Sequence, residues 1–422
     1  MVATGTFRGG LQVGSSLYGA WTNEVYTVNQ SGESVLFSTM AGTDNIFIAR
    51  NNAATPNIAV VTDAAPLIIN TTAGAVQSYP DGDVGSPTCV REHMGYFMFG
   101  YGNGDLIASD LNSTNINTLN AARTESNPDG VVNIVSFNGQ MYAMGEKTIE
   151  VWGDPVNTSG FPLTRVGYNI LPGLLTAHAV AGWEPEFGYP FIWVGSDSTV
   201  RQLNGYKAEK ISTPDLDRLI ADVTFPDTQL DALCYTAGGH AYWQLNGPTW
   251  SWVYHLNSGT WHERRSYLET KSNLTRSVPA FGKWLVGVSG DTDLLAIDHT
   301  QHTEGSDPII CIAESGSVID FPNRQRIPRC DFAFTPGVGN ASGTDPIETD
   351  PSVLIEVSRD GGRTWPVSWV RKLGEQGQSN HRIFVLNAGL SGDNGTRWRW
   401  TVSDPVHVGF SGADMVSERR NK

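Results

Sequence analysis

The chain has 422 residues, including 46 glycines and 13 tryptophans, and only 17% are charged, against roughly 25% in an average soluble domain. Its formal net charge of −15 argues against a protein that grips phosphate backbones, since that affinity comes mainly from lysine and arginine neutralising phosphates. The composition suits short strands and tight turns rather than a helical enzyme, and the length exceeds one ordinary core, so several domains or one large repeat architecture is expected.

The opening stretch from Met1 to Gly10 has no apolar core of a secretory signal, and no run approaches 18 consecutive apolar residues. Neither a signal peptide nor a membrane-spanning segment is therefore expected. Cys89, Cys234, Cys311 and Cys330 lie far apart, without C-x-x-C spacing, and read as reduced, mostly buried thiols.

Along the chain a short apolar or aromatic strand recurs. It is centred in turn on Phe47, Phe97, Tyr142, Ile192, Tyr242 and Leu285, with spacings of 50, 45, 50, 50 and 43 residues. Most of these strands precede a polar turn and a second strand, as in Leu106-Ile107-Ala108 and Trp252-Val253-Tyr254-His255-Leu256. The turns carry glycine, asparagine and aspartate, for instance Asn103-Gly104-Asp105 and Ser196-Asp197-Ser198, residues that tolerate hairpin backbone angles. A hairpin unit at this period predicts an all-β fold with a β-propeller of about six blades over 1–303, the competing reading being a sandwich or several small β domains. One stretch differs. From Thr213, an N-cap, and Pro214 at N1, the residues Leu216, Leu219, Ile220 and Val223 fall on one helical face, which predicts a short decorating helix over 214–223.

After residue 303 the texture changes. A long polar loop from Pro336 to Pro351 precedes strand-like segments at Val353–Ser358, Arg382–Leu386 and Arg397–Val402. Residues 304–422 are read as a C-terminal, sandwich-like β domain built on the segments near Ile309–Ile312 and Cys330–Phe334, with Glu418 to Lys422 as a frayed tail.

Several groups carry potential chemistry. Glu184 with Glu186, and Asp291, Asp293 and Asp298, have the composition of acid/base or calcium groups, but acidic residues in glycine-rich turns are far more often plain solvated turn residues. His240, His255 and His262 are similarly read as packing residues rather than metal ligands. Basic patches are small, at Arg264-Arg265 and at Arg397 and Arg399. No P-loop, G-x-S-x-G or H-E-x-x-H occurs. The sequence thus implies no catalytic residue, cofactor or metal. The segment Ser358-Arg359-Asp360-Gly361-Gly362-Arg363-Thr364-Trp365 fits an Asp-box hairpin, S-x-D-x-G-x-T-W. Asp360 accepts backbone N–H groups across the turn, Gly362 supplies a special backbone angle, and Ser358, Thr364 and Trp365 complete a structural turn. A sialidase would need several such boxes and an arginine cluster; Arg326-Ile327-Pro328 is only a faint echo of one.

That box, followed by Arg371-Lys372-Leu373-Gly374-Glu375-Gln376-Gly377, Arg382 and Val402-Ser403-Asp404-Pro405-Val406, resembles the C-terminal region of the tail-hub, or packaged-DNA stabilisation, proteins of short-tailed bacteriophages. Upstream, Gly145-Glu146-Lys147-Thr148-Ile149-Glu150-Val151-Trp152, Gly239-His240-Ala241-Tyr242-Trp243, Trp252-Val253-Tyr254-His255 and Gly259-Thr260-Trp261-His262-Glu263-Arg264 are similar to that family's blade motifs. The resemblance runs from about 140 to 415. It implies a non-enzymatic virion protein assembled in the host cytoplasm into a homo-oligomeric ring, a hexamer, beneath the portal and tail adaptor. Such a ring retains packaged DNA, conducts it through its lumen without sequence-specific binding during ejection, and mounts tail spikes or fibres and a tail needle. The alternative is a glycan-binding or glycan-cleaving receptor-binding propeller.

Overall fold

The computed structural model describes residues 6–127, 129–153 and 160–420. Contacts between Cα atoms divide the chain into two compact units, 1–298 and 299–422.

In the first unit, the described residues form seven consecutive antiparallel sheets. They span 7–39, 47–78, 89–123, 131–170, 180–210, 231–263 and 274–296, six of four strands and the last of three, each a simple meander in chain order. Several inner hairpins close through two-residue turns in which both residues have positive φ, at Met94-Gly95, Asn138-Gly139, Gly238-Gly239 and Phe281-Gly282. These are type I′ turns, whose twist matches that of the flanking strands. Burial falls from inside to outside. The second strands Tyr96–Gly100 and Gln140–Gly145 are buried almost throughout, whereas the fourth strands Thr164–Ile170 and Lys207–Lys210 are largely exposed. Strands buried on both faces read as unbroken apolar runs, which is why Phe97, Tyr142, Ile192 and Tyr242 mark the repeat.

First strands of neighbouring sheets lie side by side at every junction but that of the fourth and fifth, where Asn133 Nδ2 instead donates to the Ala177 carbonyl, just ahead of the fifth sheet, at 2.8 Å. The circle closes between Leu274–Ala280 and Phe7–Val13. Phe7, Trp21, Val278 and Ala280 share one core there. The Phe281 N–H donates to Gln12 Oε1 at 2.8 Å, Gly290 N–H to Thr6 Oγ1 at 3.2 Å, and Trp21 Nε1 to the Thr292 carbonyl at 3.1 Å. No described N-terminal strand enters the seventh sheet, so side-chain packing and these few bonds close the ring.

The expected count of six is therefore corrected to seven sheets. The sheet missed is 7–39, whose second strand, Ser16–Trp21, is broken by Gly19 in mid-run. A Cβ at Gly19 would stand 2.5 Å from the Trp21 ring, so nothing larger fits. Phe47 was also out of phase: it lies on the first strand of its sheet, whereas the other five centres lie on second strands.

A helix, Pro214–Ala221, connects the fifth and sixth sheets. Thr213 Oγ1 accepts from Leu216 N–H, and Leu216 and Ile220 are buried. Burying that face, rather than intrinsic propensity, holds so short a helix.

The second unit is a two-sheet sandwich. One sheet runs in the order Cys311–Glu314, Arg397–Val402, Ser352–Ser358, Val367–Lys372; the other runs Ile383–Leu390, Arg324–Phe334, Phe410–Arg420. Val353, Ile355 and Val357 alternate inward and meet Trp398, Trp400, Cys330 and Phe332 in the core. No strand occurs between Phe334 and Ser352. The expected frayed end is corrected: the last strand continues to Arg420, Glu418 stands opposite Arg326 in register, and the two are ion-paired at 3.4 Å. Asn421 and Lys422 lie outside the described residues.

Candidate functional site: the axial cavity of the propeller

The seven first strands and their flanking turns line a half-open cavity of about 580 Å³ at the centre of the first unit. Its wall takes Gly9 to Gln12 from the first sheet, Phe47 to Arg50 from the second, and Arg91 and Glu92 from the third. Asn133 and Ser136 come from the fourth, Ala177, His178 and Trp183 to Glu186 from around the fifth, Ala232 from the sixth, and Arg276 to Pro279 from the seventh. A contribution from every sheet is what a closed propeller requires.

Two guanidinium groups face this space. Arg91 donates from Nε to the Ile134 carbonyl at 3.1 Å and stacks on Trp183, its Cζ 4.5 Å from the ring centroid. Arg276 places Nη2 2.7 Å from Asp231 Oδ1 and Nη1 3.4 Å from the Ala232 carbonyl. Burial lowers the pKa of Arg91, an effect that nearby Glu184 opposes and Arg276 reinforces. His178 stacks on Phe47 at 4.8 Å. Burial, then Arg276 and Arg91, hold its pKa well below the ordinary histidine value, so the ring is neutral at neutral pH. Glu184 Oε2 accepts from Gly182 N–H at 2.9 Å and from Cys234 Sγ at 3.1 Å. The buried Cys234 thiol is pushed far up by desolvation and by that carboxylate.

The sequence treats Glu184 and Glu186 as turn residues; both line the cavity. Arg91, His178 and Arg276 were not singled out at all. No short motif joins them, and the available signal was their placement at the starts of alternate repeats, the third, fifth and seventh. The remaining candidates do not converge. His240 Nδ1 and His255 Nε2 lie 3.0 Å apart, with Ser258 Oγ on the other His255 nitrogen at 2.7 Å, while His262 meets Tyr242 edge-on at 6.5 Å between ring centroids. Among the described residues no group of three or more His, Cys, Asp or Glu is placed to hold a metal. The basic pairs are spoken for: Arg264 donates to Tyr235 Oη at 3.0 Å, and Arg265 pairs with Glu263, Arg397 with Glu314 and Arg399 with Glu356.

In the second unit, Ser358 to Trp365 forms a tight turn. Asp360 Oδ1 accepts from Arg363 N–H at 3.0 Å, Thr364 N–H at 2.9 Å and Ser358 Oγ at 2.7 Å, and Oδ2 accepts from Thr364 Oγ1 at 2.7 Å. These bonds, the Thr364 hydroxyl foremost, hold the carboxyl well below the usual carboxylate range. Gly361 and Gly362 have φ of 78° and 98°, and Trp365 carries the Arg399 guanidinium 4.3 Å from its ring centroid.

No curated protein sequence matches the chain. Among solved structures it is similar to PorZ, an essential bacterial surface component of the type-IX secretion system of Porphyromonas gingivalis, at 11% identity and a TM-score of 0.41. That match covers 75% of this chain and 42% of PorZ, and a likeness at this level bears on no functional question here. The family model described as "Bacteriophage P22 Gp10, beta-propeller" matches residues 1–301, taking in the N-terminal sheets that carried no recognisable motif. With its propeller matched from the first sheet to the last, the chain belongs to this packaged-DNA stabilisation family of bacteriophage tail proteins.

Proposed function

We propose that the chain is a structural, non-catalytic subunit of the tail hub. In this reading copies of it, six by our expectation, form a ring below the portal and tail adaptor. The ring retains packaged DNA, passes it during ejection, and mounts spikes or fibres and a tail needle outside. The propeller and the C-terminal sandwich act as separate domains of each subunit, and the Ser358–Trp365 turn, through Ser358, Asp360, Gly362, Thr364 and Trp365, is a structural brace. Assembly takes place in the host cytoplasm.

The observation that carries the reading is the family match across the propeller. Two physical features support it. A formal charge of −15 disfavours adhesion of DNA to the chain as a whole, as a conduit for DNA requires. The sandwich also keeps Ile312, Phe321 and Val370 exposed, residues of the kind that assembly interfaces cover. A head-to-tail ring is a heterologous interface that closes on itself.

The test is genome retention. Virions assembled without this protein are expected to lose their DNA, and adding the purified chain to freshly filled heads is expected to restore retention. Heads that stay full without it would refute the role.

A further inference from the structure

The axial cavity is furnished for a ligand that the structural role does not use. Arg276 Nε is buried with no hydrogen-bond partner. Arg91 uses only Nε on the protein, leaving both terminal nitrogens without a partner among the described residues. The two guanidinium groups line the same cavity and act on each other; Glu184 beside Arg91 and Asp231 paired with Arg276 offset part of that charge, and the unused donors leave room for a further anionic partner. Acceptors stand beside them. Glu184 commits Oε2 to the wall, and Glu186 is exposed and makes no bond among the described residues. A bare inorganic anion would meet those carboxylates as like charges. An anion that also carries hydroxyl donors satisfies both sets. About 580 Å³ lies within the range of small-molecule sites, and the exposed Arg50 and Glu186 give it a polar mouth.

We propose that the propeller cavity binds a hydroxylated carboxylate of acidic-monosaccharide size, its carboxylate held by Arg91 and Arg276 and its hydroxyls by Glu184 and Glu186. The inference stands on the propeller alone and holds whether or not the chain assembles into a ring.

Calorimetric titration of the full-length protein with galacturonate, N-acetylneuraminate, galactose and inorganic phosphate tests it. At least one of the two acidic sugars is expected to bind, with galactose and phosphate weaker by about tenfold or more. Arg91→Gln is expected to weaken the acidic sugar by about tenfold or more, while Arg91→Lys, which keeps a charge, loses less. Because Arg276 is paired with Asp231 and its replacement can disturb folding, Glu186→Gln serves as the second variant. Its residue is exposed, and a weaker acidic sugar is expected there too, through loss of a hydroxyl acceptor. Absence of binding by both acidic sugars at millimolar concentration overturns the proposal. So does equal binding of phosphate, or acidic-sugar binding that Arg91→Gln leaves unchanged in a folded protein.

Discussion

Closure of the propeller rests on the seam between the first and seventh sheets, and Phe7→Ala probes it directly. Phe7 is 1% exposed, its ring centroid lies 5.0 Å from that of Trp21, and it shares a core with Leu17, Val278 and Ala280. The wall around it is backbone-close: a Cβ added at Gly287 would stand 2.5 Å from Phe7 Cβ. Such a site collapses poorly around a cavity, so the loss is expected in the range of about 3–5 kcal/mol for a buried Phe→Ala change. That is a large part of the roughly 5–15 kcal/mol by which domains are usually stable. Urea unfolding of the full chain measures it. The two units need not unfold together, so the propeller transition has to be identified by hydrogen exchange in Phe7–Val13 and Leu274–Ala280. Leu119→Ala, at a residue 82% exposed, is the control and is expected to change stability by no more than about 0.5 kcal/mol. A loss below about 1 kcal/mol for Phe7→Ala, or lost protection confined to sheets away from the seam, would refute packing-based closure.

Three further outcomes follow from particular groups. The Asp360 carboxyl is depressed in the folded state, so its contribution is present above the ordinary carboxylate value of about 3.9 and is lost as pH falls below it. Asp360→Asn should therefore lower the melting temperature of the second unit at pH 7 and flatten its acid dependence; an unchanged acid limb would count against the turn as a brace. Glu150, buried at 1% side-chain exposure, accepts from the Glu125 and Ser126 N–H groups at 2.9 and 2.7 Å and lies 3.5 Å from Arg165. Glu150→Ala should cost on the order of 3 kcal/mol by chemical denaturation. Finally, burial pushes the thiol of Cys89 up to about 11 and that of Cys330 to about 12, and raises Cys234 well above its ordinary value. Under native conditions at pH 8 these three should resist a thiol reagent that labels all four cysteines in denaturant; fast native labelling of Cys89 would contradict its burial.

The repeat was legible where strands are buried on both faces, as at Phe97–Phe99 and Met141–Met144, because a continuous apolar run stands out from polar turns. It was lost where packing demanded a glycine, as at Gly19 against Trp21, and that hid a whole sheet. The frayed-end reading failed for a related reason. Ser411 to Arg419 are mostly exposed and polar, so nothing in their composition reveals that they pair with Arg324–Phe334. The cavity was the least legible part. Arg91, His178 with Glu184, and Arg276 come from three distant places in the chain, and only the convergence of first strands brings them together. The Asp-box segment, by contrast, is local, so its sequence already contained the partners Asp360 meets at Ser358, Arg363 and Thr364.

The central claim, that this propeller is a building block of a tail-hub ring, is tested most directly by single-particle electron microscopy with mass photometry on the purified protein, alone and mixed with the portal–adaptor complex. The account predicts annular particles of about six subunits, free or seated on the adaptor. A monodisperse monomer in both samples would contradict it.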